Sequence, residues 1–263
     1  MKFPILALIL AIPLGAEAQS ATNALAPSLA TNSAQAPTMP PPRKAASTTT
    51  PDNSPYVGSP GPMLKVEANL AAIQGKPCDI IFIGASIIAG WQGAGAAIWQ
   101  KDYLPRHALN FGVPGDKTQN VLWRLDNMNV KELRPKVAVI MIGANNTANT
   151  PREIADGIQA VVNKARSIFP GVKVILVSLT PNRRGNDKMM AVDAIIKGFA
   201  DDQSVYWLDL VPLMPPIITT TPNGKTDMNW KGLKADHLHP NASGYQIWHD
   251  AMEPLLSKLL AGG

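Results

Sequence analysis

Short apolar runs alternate with longer amphipathic stretches along most of the chain. The apolar runs fall at residues 78–84, 108–112, 137–143, 172–178 and 205–209. Runs of this length that are apolar at nearly every position are typical of strands buried on both faces of a parallel sheet. Apolar side chains at helical spacing mark the stretches near 63–70, 116–128, 150–168, 189–199 and 245–260. This alternation predicts an α/β fold in which five parallel strands lie between two layers of helices.

Local signals indicate where some of these elements begin. Thr150, Pro151 and Glu153 are a cap residue, a first-turn proline and a capping-box glutamate, so they predict the start of a helix. Asp116 precedes another amphipathic stretch, and we expect it to cap that helix. Residues 212–234 are rich in Pro, Thr, Gly and Asn and show no clear period, which predicts a long loop that shapes the substrate site.

The first 60 residues differ from the rest of the chain. Lys2, the apolar run that ends at Leu14 and the small residues Ala16 and Ala18 are typical of a secretory signal peptide, predicted at 1–18. Residues 19–60 are dominated by Ala, Pro, Ser and Thr, so they predict a disordered linker. The domain is then predicted at 61–263, in a protein that is secreted or periplasmic. No later apolar run is long enough for a stable membrane span.

Charge and cysteine content exclude several classes of function. The net charge is +5, but the basic residues are scattered, so we expect no nucleic-acid partner. Cys78 is the single cysteine, which excludes an internal disulfide, and its place in an apolar run indicates a core residue. The sequence has no cysteine cluster and no histidine pair at metal-ligand spacing. We therefore expect neither a metal ion nor a cofactor.

Polar residues and glycines follow the predicted strands, at the edge where parallel sheets place their functional groups. Ser86 follows the first strand, Gly115 the second and Asn145 the third, whereas Asp236 and His239 precede the last helix. Acyl transfer needs these residue types: a serine nucleophile, a histidine base and a carboxylate that orients the imidazole. The backbone N–H groups of Ser86 and Gly115 and the side chain of Asn145 would donate hydrogen bonds to the oxyanion.

Two assignments stay open on spacing alone. Asn146 is adjacent to Asn145 and could be the side-chain donor in its place. His237 could compete with His239 as the base, although Pro240 biases His239 away from helical geometry.

Four blocks resemble, in order and spacing, those of the SGNH (GDSL-like) hydrolases: Gly84-Ala85-Ser86, Gly112-Val113-Pro114-Gly115-Asp116, Gly143-Ala144-Asn145 and Asp236-His237-Leu238-His239-Pro240. The run 109–125 is most similar to the branch of the platelet-activating-factor acetylhydrolase catalytic subunits, and the resemblance covers about residues 75–258. It implies a flavodoxin-like three-layer α/β/α sandwich and metal-free ester hydrolysis. It also implies Ser86 as nucleophile, His239 and Asp236 as the other triad members, and Gly115 and Asn145 as oxyanion donors.

Ala85 departs from the family pattern, which usually has Asp between the glycine and the serine. A carboxylate there could accept backbone N–H groups and brace the turn of the nucleophile, and alanine cannot.

The main hypothesis is an exported serine esterase that removes a short acyl group, acetyl above all, from an oxygen ester of a small molecule or carbohydrate. The alternatives are a catalytically degenerate carbohydrate-binding module and an acyltransferase with the same triad. Relatives in the resembling branch can dimerise, so a homodimer is one expected assembly.

Overall fold

The structure of the protein is a computed structural model that describes residues 46–56 and 61–262. The predicted signal peptide and most of the predicted linker lie outside the described residues. The central strands are β1 (Ile80–Gly84), β2 (Ala108–Gly112), β3 (Val137–Met141), β4 (Lys173–Val177) and β5 (Val205–Leu208). They form one parallel sheet in the order β2-β1-β3-β4-β5. The predicted five-stranded parallel sheet is confirmed, with the strand order of a flavodoxin-like fold.

Helices flank this sheet, which confirms the predicted α/β class. They are α1 (Gly61–Ile73), α2 (Ser86–Ala89), α3 (Ala96–Ile98), α4 (Thr118–Asn127), α5 (Pro151–Ile168), α6 (Asn186–Ile196) and α7 (Ala242–Ala261). The middle helices α4, α5 and α6 pack side by side, whereas α7 packs against β3 and α3. Every residue of β1, β2 and β3 is buried, which explains why these strands are apolar at nearly every position. Within residues 46–56 and 61–262, no helix combines the length and apolar character needed to cross a membrane.

Part of the region 212–234, predicted to be a long loop, forms a second sheet of two antiparallel strands. These are β6 (Pro216–Thr220) and β7 (Thr226–Trp230), with Ile218 opposite Met228. In the turn between them, the N–H of Thr221 donates to the carbonyl of Lys225 at 2.8 Å. All five residues of β6 are exposed, so no alternation of apolar and polar side chains marks this strand in the sequence.

Residues 46–56, which we name the strap, lie in the segment predicted to be disordered, and for these residues the structure differs from that expectation. Thr48 is only 5% exposed, and the backbone N–H of Asp52 donates to the carbonyl of Gln119 on α4 at 3.0 Å. The strap is held mainly by polar contacts. A prediction that counts large apolar side chains does not detect such contacts.

Candidate active site

Ser86 lies at the carboxyl end of β1, at the first residue of α2. Two glycines allow the backbone to pack closely around it. A Cβ atom on Gly84 would lie 2.1 Å from the carbonyl oxygen of Met141, and one on Gly112 would lie 2.4 Å from the nitrogen of Ala89. Gly84 therefore lets β1 approach β3, and Gly112 lets β2 approach α2, which holds the turn of Ser86 against the sheet.

Three of the predicted side chains form a continuous series of hydrogen bonds. The Nε2 atom of His239 lies 2.8 Å from the Oγ of Ser86, and its Nδ1 lies 2.7 Å from the Oδ2 of Asp236. The other carboxylate oxygen, Oδ1, accepts the backbone N–H groups of Leu238 at 3.1 Å and His239 at 3.0 Å. The segment before α7 thus holds the carboxylate and the imidazole in one turn, facing the serine.

The ionisation of Asp236 determines which ring nitrogen of His239 carries the proton. Partial burial raises the pKa of Asp236, but hydrogen bonds from the His239 amide and ring and from the Leu238 amide outweigh it and lower the pKa to about 2. Above that pH the carboxylate only accepts hydrogen bonds, so Nδ1 of His239 is the donor. In the neutral ring, Nε2 is then the acceptor for the hydroxyl proton of Ser86. General-base catalysis requires this tautomer.

The competing histidine, His237, does not contact Ser86. It has a positive φ of 55°, and its Nε2 lies 3.6 Å from the Oδ2 of Asp227 on β7. Its Nδ1 is buried without a hydrogen-bond partner among the described residues. The structure therefore places His239, and not His237, against the serine.

The two asparagines after β3 have different surroundings. Asn146 is fully buried and bonds to α4, because its Oδ1 accepts the N–H of Thr118 at 3.1 Å and its Nδ2 donates to the side chain of Gln119 at 3.1 Å. Asn145 lines the cavity beside Ser86. The structure therefore brings Asn145 to the serine and uses Asn146 to attach the loop to the helix.

Two partners fix the orientation of the Asn145 amide. Its Nδ2 donates to the carbonyl of Asp116 at 2.9 Å, and its Oδ1 accepts from the Nη1 of Arg184 at 3.0 Å. A flipped amide would place two acceptor oxygens against each other at Asp116 and two donors against each other at Arg184. Nδ2 carries two N–H groups, so one of them is left to donate to a ligand oxygen.

The predicted backbone donors lie in the turns after β1 and β2. Gly115 has a φ of +87°, a conformation that glycine adopts far more readily than other residues. A Cβ there would meet nothing within 4 Å, so the shape of the turn, and not a lack of space, requires the glycine. Within the described part of the chain, the N–H groups of Ser86 and Gly115 have no backbone acceptor. Both are therefore available to an oxyanion.

A small cavity of about 20 Å³ opens beside Ser86. The cavity is small, so it favours a short acyl group over a long one. Its lining is mostly apolar and consists of Ala85, Ser86, Ile87, Met141, Ile142, Gly143, Ala144, Asn145, Leu179, Thr180 and Leu238. The arrangement can seat a methyl group next to the nucleophile.

Asp116, which was predicted to cap α4, forms a buried ion pair instead. Its Oδ2 accepts from the Nε of Arg124 at 2.8 Å and lies 2.7 Å from the Nη2, and both side chains are at most 1% exposed. Arg124 also donates to the carbonyl of Phe111 at 2.9 Å and to that of Gly84 at 3.2 Å. The residue directly before α4 is Lys117. The ion pair therefore connects the carboxyl ends of β1 and β2 to the loop that contains Gly115.

Sequence reasoning missed Arg124 and Arg184. A signal for Arg124 was present, because it lies three residues after Val121 and next to Leu125, within the apolar stripe of α4. A charge in that stripe indicates a buried partner. No comparable signal marks Arg184, which is exposed and reaches Asn145 from a loop 39 residues away.

Asp193 on α6 carries a buried carboxyl group next to the cavity. Its Oδ1 accepts the N–H of the cavity residue Leu179 at 2.9 Å, and burial, reinforced by Asp209, raises its pKa to about 8. The unfolded-state pKa is about 3.9, so the folded state holds a proton that the unfolded chain releases. The contribution of this group to stability is complete below pH 4 and is lost as the pH rises to about 8.

Asp193→Asn is expected to reduce the fall in stability between pH 4 and pH 8, because the amide keeps the acceptor for Leu179 and has no proton to lose. The free energy of unfolding, measured in urea at pH 4.5 and pH 8.5, should favour the variant only at the higher pH. The exposed Asp250→Asn is the control and should leave the pH dependence as it is in the wild type. An equal gain at both pH values would contradict the raised pKa.

Ala85 occupies the cap position of α2 and makes no side-chain capping hydrogen bond. Ala85→Asp is expected to stabilise the protein by about 0.5–2 kcal/mol, because a carboxylate at this position can accept the orphan N–H groups of the first turn. Urea unfolding measures the gain, and Ala85→Asn, an uncharged cap of the same shape, should reproduce it. Unchanged stability and unchanged hydrolysis in both variants would show that the turn needs no brace.

The described residues contain no group of three or more His, Cys, Asp or Glu side chains that could hold a metal ion.

The chain is similar to proteins of one known family. Residues 82–247 match the model of the GDSL-like Lipase/Acylhydrolase family. The chain is 31% identical over 191 residues to the platelet-activating factor acetylhydrolase IB subunit alpha1 of Rattus norvegicus, covering 71% of this chain and 78% of the relative.

Solved structures show the same fold. A putative acylhydrolase from Bacteroides fragilis has a TM-score of 0.58 at 20% identity, over 75% of this chain and 96% of its own. Est24, a carbohydrate acetylesterase from Sinorhizobium meliloti, has a TM-score of 0.53 at 19% identity, over 69% and 99%. The strand order, the matched region and the identity to the rat relative lead to one conclusion. The chain belongs to the GDSL-like lipase/acylhydrolase family, the SGNH hydrolases, and is a carboxylic ester hydrolase.

Proposed function

We propose that the protein is an exported serine esterase that hydrolyses short-chain acyl esters, acetyl esters above all, through Ser86, His239 and Asp236. The observation that carries the proposal is the 2.8 Å contact between His239 Nε2 and Ser86 Oγ, made beside an apolar cavity of about 20 Å³. The contact supplies an activated nucleophile, and the cavity limits the acyl group that the nucleophile can reach.

The proposed reaction passes through an acyl-enzyme. Ser86 Oγ attacks the ester carbonyl carbon while its proton moves to Nε2 of His239, and Asp236 stabilises the imidazolium that forms. The carbonyl oxygen becomes an oxyanion that accepts hydrogen bonds from the amides of Ser86 and Gly115 and from Asn145 Nδ2. The alcohol then leaves with the proton from His239. Water, deprotonated by the same imidazole, attacks the acyl-enzyme, and the acid and free Ser86 result.

The size of the acyl group follows from the cavity. An acetyl group adds only one methyl carbon beyond the carbonyl, which a small cavity of this kind can hold. A longer acyl chain would press against cavity side chains such as Leu179 and Leu238, and overpacking a well-packed site is unfavourable. The rat relative is named an acetylhydrolase, which supports the same acyl group for this chain.

The alcohol half of the substrate is proposed to be a carbohydrate or another small hydroxyl compound. One structural neighbour is named a carbohydrate acetylesterase, and a polysaccharide ester is a substrate that an exported enzyme would meet. The proposal of export rests on the predicted signal peptide at 1–18. Mass spectrometry of the exported chain should place its N-terminus at Gln19, and an N-terminus at Met1 would contradict export by cleavage.

A series of chromogenic acetyl, butyryl and octanoyl esters tests the acyl preference. We expect kcat/KM to fall at least about tenfold from acetyl to butyryl, since one or two extra methylenes change transition-state binding by that order. Leu179→Ala removes side-chain volume from the cavity and should raise the butyryl rate relative to the acetyl rate. Leu213→Ala, which shortens a leucine that is 41% exposed, is the matched control. An octanoyl ester as the best substrate would overturn the proposed acyl group.

A further inference from the structure

The strap is attached to α5 and the start of α4 by hydrogen bonds that are largely shielded from water. The hydroxyl of Thr48 donates to the carbonyl of Glu153 at 2.7 Å, and the carbonyl of Thr48 accepts from the hydroxyl of Thr118 at 2.8 Å. The side chain of Asn149 donates to the carbonyl of Ala46 at 3.0 Å. These bonds connect the strap to the loop after β3, to α4 and to α5.

Gly157 in the interior of α5 makes room for the strap. A Cβ atom there would lie 2.8 Å from the Cβ of Thr48 and 2.5 Å from the hydroxyl oxygen of Thr118. Glycine destabilises a helix interior relative to alanine, so its place in the middle of this helix needs a reason. The close approach of Thr48 and Thr118 supplies that reason, which indicates that the strap occupies a fitted seat.

The second half of the strap reaches the loop that carries Gly115. The side chain of Asn120 donates to the carbonyl of Asp52 at 2.8 Å, and the ring of Tyr56 packs against that of Trp123 with centroids 5.5 Å apart. The hydroxyl of Tyr56 donates to the Oδ1 of Asp116 at 2.5 Å. Burial, followed by the nearby carboxylate, raises the pKa of Tyr56 well above its usual range, so this hydroxyl keeps its proton.

Asp116 connects the strap to two of the oxyanion donors, because its side chain contacts Tyr56 and its backbone contacts Asn145 and follows Gly115. Arg124 holds one carboxylate oxygen and Tyr56 holds the other, so together they fix the plane of the carboxyl group. The backbone carbonyl of the same residue accepts Nδ2 of Asn145 at 2.9 Å. Its N–H follows directly after Gly115. A shift of Asp116 would therefore move two of the three groups that face the oxyanion.

We propose that the strap is a working part of the active site and that Tyr56 is a positioning residue, which holds Gly115 and Asn145 in the geometry that stabilises the oxyanion. The inference rests on the proposed function, because it assigns Gly115 and Asn145 the role of oxyanion donors. Catalytic donors must be held within about 0.5 Å of their productive positions. A partly buried hydrogen bond from a neighbouring segment can supply that restraint.

Tyr56→Phe in the full chain tests the proposal. Tyr206→Phe is the matched control, since among residues 46–56 and 61–262 that hydroxyl bonds only to the carbonyl of Gln203, at 3.1 Å. We expect Tyr56→Phe to lower kcat by about 5- to 30-fold at unchanged KM, because small misplacements of catalytic groups have effects of this order. The rate should be expressed per serine titrated with a phosphonate, so that unfolded protein does not count. Tyr206→Phe should match the wild type.

A double-mutant cycle separates positioning from general stability. In an Asn145→Ala background, Tyr56→Phe should lower kcat by a smaller factor. Tyr56 acts partly by positioning the Asn145 amide, which this background lacks. A wild-type kcat in Tyr56→Phe, or the same loss of kcat in both backgrounds, would overturn the proposal.

Hydrogen exchange distinguishes failure of this proposal from failure of the proposed function. The amides of Val113 and of residues 115–119 should exchange faster in Tyr56→Phe than in Tyr206→Phe, whether or not esters are hydrolysed. If the wild type neither hydrolyses esters nor reacts with the phosphonate, the proposed function is wrong, and faster exchange would still support the restraint of the loop by Tyr56. Unchanged exchange would overturn the role of the strap.

Discussion

Ser86→Ala is expected to reduce the rate of acetyl-ester hydrolysis by about 10⁴- to 10⁶-fold, the range found when a triad nucleophile is removed. The reason is that His239 Nε2 loses the hydroxyl group that it contacts at 2.8 Å, so no acyl-enzyme can form. The oxyanion donors do not depend on the lost oxygen, so a small residual rate above that in water is expected. The measurement is kcat with a chromogenic acetate, together with mass spectrometry after a serine-directed phosphonate.

Ser257→Ala is the matched control, because that serine is exposed on α7 and bonds to Glu253. Its kcat should equal that of the wild type. Ser86→Ala combined with His239→Ala should be no slower than Ser86→Ala alone, since residues of one triad act as a unit. Hydrolysis that survives Ser86→Ala, or a phosphonate adduct on another residue, would remove Ser86 as the nucleophile.

Arg124→Met is expected to destabilise the protein by about 3–5 kcal/mol, the cost of leaving a buried charge without its partner. The arginine is fully buried and contacts Asp116, Phe111 and Gly84. Methionine fills part of the volume but offers no donor to the carboxylate or to the two carbonyls. Urea unfolding at neutral pH measures the loss.

Two further variants define the cause of that loss. Arg106→Met removes an arginine whose ion pair with Glu253 is 26–30% exposed, so it should cost about 1 kcal/mol or less. Adding Asp116→Asn to Arg124→Met removes the unpaired charge and should recover part of the stability. If Arg106→Met is as damaging as Arg124→Met, burial is not the source of the effect.

The sheet was predictable because burial on both faces leaves a direct signature in the sequence. The strand β1 is apolar at every position before Gly84, and β3 is apolar at all of its positions. The start of α5 was predictable for a local reason, because the capping box of Thr150 and Glu153 forms as expected, with the Thr150 N–H bonded to Glu153 at 2.8 Å. Both signals are local. The start of a helix depends on residues that are neighbours in sequence, and a buried strand depends on the apolar character of one short run.

The proximity of the candidate site residues was predictable, because strand order brings the loops after parallel strands to one edge. Their individual roles depend on contacts that spacing does not determine. His237 and His239 differ by two positions in sequence, yet His237 has a positive φ and lies beside Asp227, whereas His239 contacts the serine. Asp116 looked like a helix cap because its partner Arg124 lies eight residues further along, inside a helix. The strand β6 left no pattern because both of its faces are exposed.

The strap also determines where the chain can be shortened or joined to another protein. The region matched by the family model begins at residue 82, and the hydrophobic pattern of the sequence predicts a domain that begins at residue 61. Thr48 and Tyr56 lie before both boundaries. A chain cut at either boundary would expose to water the seat at Gly157 and the carboxylate of Asp116. Any tether, affinity tag or protease site should therefore end before Ala46.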